Sequence, residues 1–125
     1  MKRFITSSIL LAVSFFHLLP LIGVLGMDRL QHLYGFDVTD SNLEILLRHR
    51  ALLFGVLGVF LAVSAFKPRY QIPVIIAGLV SVVSFIVLAR LVGHYNAAIA
   101  RVVFVDWWAL GGLLVAGLMV ASKSA

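Results

Sequence analysis

The sequence predicts an all-α integral membrane protein, a four-helix bundle in one domain, with a short outer interfacial segment between its first and second helices. Three observations carry that prediction. Of 125 residues, 62% are apolar and only 12% charged, with a mean hydropathy of +1.11. A soluble domain holds about 45–50% apolar and ~25% charged residues, so this chain would expose far too much apolar surface to water. Second, the apolar residues fall into four runs, at about 4–26, 43–66, 70–93 and 100–121. Each is close to the ~20 residues that cross a ~30 Å hydrocarbon layer. Third, the charged residues cluster at the ends of those runs.

The first run follows Met1-Lys2-Arg3 and extends from Phe4 to Gly26. A charged start and an apolar core suit a secretory signal, but this run is longer than a signal core, and an uncleaved first span is expected. Pro20 should bend or thin its last turns. Met27 to Asp40 is the longest polar stretch, yet it carries Leu30, Leu33, Tyr34 and Phe36, the composition of an interfacial helix or lid. Ser41-x-x-Glu44 reads as a capping box opening the second span, which Lys67-Pro68-Arg69 stops. Pro73 lies in the first turn of the third span, where proline is tolerated. Gly93-His94-Tyr95-Asn96 separates it from the fourth.

Four spans place both termini on one side. If that side is cytoplasmic, the inside carries Lys2, Arg3, Lys67, Arg69 and Lys123 with no acid. The outside carries Arg29, Arg48, Arg50, Arg90 and Arg101, balanced by Asp28, Asp37, Asp40, Glu44 and Asp106. The whole net charge of +5 is then internal, which is the positive-inside pattern. It accounts for the basic pI without a nucleic-acid partner, and none is expected. Trp107, Trp108, Tyr34 and Tyr95 would form an outer aromatic belt.

The second span organises this picture. At helical spacing Glu44, Arg48, Ala51, Gly55, Gly58 and Ala62 share one face, so an i,i+4 ion pair heads a stripe of small residues. Small residues let membrane helices approach closely, and Gly111, Gly112 and Gly117 read the same way. Arg50 points about 160° away from Arg48, so the two should serve different partners.

The candidate ligand-binding residues gather at the outer ends: Glu44, Arg48, His49 and Arg50 on the second span, and Arg90 and His94 on the third. Asn96 follows in the connection, with Arg101 and Asp106 on the fourth. Converging, they would make an outward pocket closed by the Met27–Asp40 segment. Its arginines would suit a carbonyl-bearing or anionic ligand, a quinone or a lipid headgroup. The competing reading is a salt-bridge network that fixes helix packing, in which Asp106 pairs with Arg48 or Arg101.

His17 lies alone within the first span and is expected to donate one interhelical hydrogen bond. His32, His49 and His94 form no metal-ligand spacing, and no phosphate loop, nucleophile elbow or dinucleotide fingerprint occurs. No metal or cofactor is expected. A channel is hard to draw, because no polar stripe runs through the inner half of any span.

The runs Leu47-Arg48-His49-Arg50-Ala51-Leu52-Leu53-Phe54-Gly55, Tyr34-Gly35, Ser81-Val82-Val83-Ser84-Phe85 and Gly93-His94-Tyr95-Asn96, with Asp106, carry a resemblance. Over roughly Leu33 to Trp108 the chain resembles a group of small bacterial four-helix inner-membrane proteins, loosely similar to the DoxX-like proteins. The resemblance implies a bundle in the bacterial inner membrane and carries no assigned reaction. Similar chains are sometimes labelled phosphopantetheine adenylyltransferase. Those enzymes are soluble α/β proteins with a Thr/His-x-Gly-His motif, which is missing here along with any strand–helix alternation.

The function expected is therefore that of a small inner-membrane binding or accessory protein. It would hold a lipid, a quinone or a partner subunit through the outer Arg/Glu/Asp cluster, and its small-residue stripes would allow a homo-oligomer. The alternative is a membrane enzyme acting on a lipid-soluble substrate, with Glu44 or Asp106 as acid/base and His94 assisting.

Overall fold

The computed structural model describes residues 1–124. Among them there are helices and no strands: α1 (Lys2–Leu18), α2 (Met27–Tyr34), α3 (Ser41–Phe66), α4 (Gln71–Val92) and α5 (Ala97–Ser124). Short 3₁₀ segments lie at Leu19–Leu25, after α1, and at Pro68–Tyr70, before α4. Four helical stretches are long and apolar enough to cross a bilayer: Lys2–Leu25, Ser41–Phe66, Pro68–Val92 and Ala97–Lys123. This is the architecture of a multi-pass membrane protein. α1 packs on α3 and α5, and α4 packs on the same two helices, so the spans form a ring in the order α1, α3, α4, α5.

The element ends follow from local chemistry. Pro20 has no N–H to return to the carbonyl four residues earlier, and α1 gives way there to the tighter 3₁₀ winding. Gly35, at φ 69°, supplies the left-handed residue that closes α2. The cap of α3 is Asp40 rather than Ser41, its carboxylate accepting from Asn42 N at 2.7 Å. Glu44 therefore lies one position past a capping box and turns to Arg48 instead. α5 begins at Ala97, three residues before the expected start, because Asn96 caps it: Oδ1 accepts from Ile99 N at 2.9 Å.

The half of the bundle nearest the termini is close packed. Its core joins Leu10 and Val13 of α1, Leu61 and Ala65 of α3, Ile75 and Val82 of α4, and Leu113 and Ala116 of α5. Serines stitch α1 to α3: Ser7 Oγ donates to Ala65 O at 2.6 Å and Ser14 Oγ to Gly58 O at 2.7 Å. Without water to compete, such bonds and close backbone approach hold membrane helices together. The expected glycine stripe of α3 is the contact face. A Cβ on Gly55 would lie 2.5 Å from Leu21 Cδ1, and one on Gly58 2.8 Å from the Leu18 side chain. Gly112 also packs, against Ile9, whereas Gly111 faces open space and has no packing role.

At the opposite end, α2 lies over the bundle on a small core of its own, Leu30, Tyr34 and Val38, with Leu33, Leu47 and Ile99 against it. The Met27–Asp40 segment is thus a helical lid followed by a short connection into α3.

Candidate functional site

Below the lid is a cavity of about 400 Å³, where α1 changes to its 3₁₀ continuation. Phe16, His17, Leu19 and Pro20 come from the first span and His32, Leu33 and Tyr34 from the lid. Arg50 and Phe54 come from α3, and Ala98, Arg101, Val102, Val105 and Asp106 from α5. The walls are mostly apolar, with a few converging polar groups, which is the usual make-up of a small-molecule site.

His17 is 3% exposed. Its Nδ1 lies 2.9 Å from Val13 O in its own helix. A carbonyl only accepts, so Nδ1 carries a proton, and the neutral ring leaves Nε2 as a bare lone pair. Nε2 has no partner, and it is the one buried side-chain polar atom in that state among the described residues. The interhelical hydrogen bond expected of His17 is therefore not made; its bond is intrahelical. Its ring rests on Phe54, centroids 5.5 Å apart.

Asp106 is 9% exposed. It lies nine residues into α5, about 14 Å from the helix start at 1.5 Å per residue. It makes no hydrogen bond and no ion pair among the described residues. The ion pair expected with Arg48 or Arg101 is not made; Arg50 and Arg101 border the same cavity. Arg50 is half-buried, and its guanidinium lies 4.5 Å from the centroid of Phe54, 5.2 Å from Phe85 and 5.4 Å from Tyr34. Aromatic faces offer a desolvated cation an electrostatic partner. Arg50 Nη1 also donates to the Tyr34 hydroxyl, so the phenol's own proton remains free to bond elsewhere. Tyr34, the last residue of the lid helix, is buried and takes no part in an interfacial belt.

The single outer cluster expected from the sequence is divided into four sets. Arg50, Arg101 and Asp106 border the cavity. Glu44 and Arg48 form an exposed pair at 3.1 Å on a different face of α3. There Arg48 Nε also donates to Val24 O at 2.9 Å, a carbonyl at the end of the 3₁₀ segment. Asn96 is committed to the backbone, since besides its cap its Nδ2 donates to Tyr34 O at 2.7 Å, fastening the lid to α5. His49, Arg90 and His94 are exposed and border no part of the cavity. Of the three acid/base candidates, Asp106 alone reaches it; Glu44 is in its ion pair and His94 is in the α4–α5 turn. Sequence reasoning missed His17, His32, Tyr34 and Phe54 as cavity residues. A signal for one of them was present. His17 and Asp106 lie at matching depths, eight residues before the end of the first span and nine after the start of the fourth.

No family model, curated protein or solved structure matches this chain.

Proposed function

We propose that this chain is a small membrane binding protein whose cavity holds the polar head of a lipid-soluble molecule. The observation that carries the reading is the unpartnered Nε2 of buried His17 on a cavity that also holds Asp106, a carboxylate without a hydrogen bond. Buried polar atoms are satisfied almost everywhere in proteins, because an unmade bond costs about 1–3 kcal/mol. An unmatched buried lone pair beside a carboxylate without a hydrogen bond, on one cavity, is best accounted for by a ligand that completes both.

The chemistry of the walls narrows the head. Tyr34 O–H and Arg101 offer donors, while His17 Nε2 and Asp106 offer acceptors. Arg50 and Asp106 carry opposite charges on one cavity, so a neutral head bearing both carbonyl and hydroxyl oxygens fits better than a phosphate, which is costly at this depth. A quinone or quinol ring has those oxygens; a lipid headgroup is the other source of the same acceptors. The reading includes a bacterial inner-membrane location with both termini in the cytoplasm. Supporting this, all five basic residues at the terminal end lack acidic neighbours there.

A second reading rests on the same pair. An Asp carboxylate and a histidine lone pair on one cavity are also an acid/base couple for a membrane enzyme, with His17 in the assisting part expected of His94.

Native mass spectrometry of the protein extracted gently from its own membrane tests the reading, run beside a folded Asp106→Asn variant. A quinone or lipid of defined mass on the wild type, lost from the variant, is the expected result. Its mass tells the two sources apart. Equal, ligand-free masses for both would overturn the reading, and an adherent polypeptide instead would assign the cavity to a partner subunit.

A further inference from the structure

A second cavity, of about 390 Å³, opens between α1 and α5, and its walls carry no charged side chain. It shares Phe16 and Val105 with the cavity beneath the lid. From there it runs along both helices toward Ile9 on α1 and Gly112 on α5, whose added Cβ would come within 3.1 Å of Ile9 Cγ2. Seven residues of α1, from Phe16 to Ile9, span about 10 Å at 1.5 Å per residue. The groove exists because the wall between the helices is built from small side chains, among them Ala12, while Trp108 stands along one side.

We infer that the ligand of the lid cavity is a chain-bearing amphiphile, with its hydrocarbon chain in the groove between α1 and α5. The inference rests on the reading of the lid cavity as a headgroup site. Three observations commit the groove to this occupant. It adjoins the polar cavity, and Phe16 and Val105 line both. Its lining is apolar throughout, so a polar segment of a partner would lose its hydrogen bonds there. Its direction is that of a lipid in the bilayer, with the head toward the lid end and the chain toward the middle of the span. The same opening gives the ligand a lateral path from the hydrocarbon layer, so it need not pass through water or lift the lid.

The test uses two probes with one head, bare dimethoxybenzoquinone and its decyl derivative. They are compared at equal mole fraction in phosphatidylcholine nanodiscs holding the full-length protein. Binding raises the thermal midpoint by mass action. In the wild type both probes should raise it, the decyl form at an at least tenfold lower concentration. Ala12→Phe, which puts a ring into the groove from a lipid-facing position, should erase that tenfold advantage and leave the response to the bare head unchanged. Should Ala12→Phe fail to fold, Trp108→Ala removes a wall of the groove and must also reduce the advantage. A decyl advantage that survives in the folded variant overturns the inference while the headgroup site stands. So does a wild type that responds to both probes equally. A wild type that responds to neither removes the quinone head from the site, and the inference with it.

Discussion

The two ends of this bundle use the same four helices for opposite purposes. Near the termini, leucine, valine and alanine fill the core, and Ser7 and Ser14 give their protons to carbonyls of α3. Near the lid, the helices part around a cavity, a histidine lone pair goes unmatched, and a carboxylate faces an arginine that is already caged by three rings. The residue composition of the spans does not differ enough to explain this. What differs is the spacing of small residues. Gly55 and Gly58 draw α3 onto Leu21 and Leu18 on one side of the first span, whereas Leu19 and Pro20 of the same turn border the cavity. Proteins satisfy local rules where they only need to hold together and depart from them where they act. By that measure the terminal end reads as scaffold and the lid end as the proposed site.

Three substitutions would break or sharpen this division. The largest effect is expected from Gly58→Leu, because the intruding Cβ meets Leu18 at 2.8 Å and, at 3.3 Å, the Leu18 backbone nitrogen, which cannot turn aside. Overpacking of this kind costs up to about 3 kcal/mol. Chemical unfolding in micelles should show that loss, and an unchanged midpoint would mean the α1–α3 contact is looser than described. His17→Leu should behave differently. Removing an unsatisfied buried nitrogen leaves stability unchanged or raises it by about 1 kcal/mol, while ligand retention falls. A loss of several kcal/mol would instead make His17 part of the scaffold. Arg48→Ala should do least. Its ion pair with Glu44 is exposed, the arginine side chain by 44%, and such pairs contribute about 0–1 kcal/mol. Ligand retention should not change; if it does, the site extends around α3 to the Glu44 face.

The fold was legible because its determinants are local in the chain. Four apolar runs, the Lys67-Pro68-Arg69 break and the Gly93–Asn96 turn mark the spans to within about three residues. The polarity of Met27–Asp40, with leucines inside it, marks the lid. The site was harder to see because it depends on helical phase in three dimensions. Arg48 and Arg50 were rightly separated by helix geometry, since that argument needs only one helix. Whether Arg90 and His94 turn toward α5 or toward lipid depends on how α4 sits in the ring, and no spacing within α4 encodes that. His17 was undervalued for a related reason. A lone polar residue in a span is usually tied to the next helix, and only the structure reveals that its one bond stays within α1. The cap of α3 moved by a single residue because Asp40 and Ser41 are both good caps, and the chain direction out of the lid favours the first.

The cage around Arg50 has a mechanical meaning as well as an electrostatic one. Its three rings belong to three different elements, Tyr34 to the lid, Phe54 to α3 and Phe85 to α4. α4 gives no side chain to the cavity itself, but its Phe85 lies against this guanidinium. Arg50 is thus a joint between a helix remote from the cavity and the lid that covers it. A substitution there disturbs binding and assembly together, so Asp106, which has no such second attachment, is the cleaner place to isolate what the cavity holds.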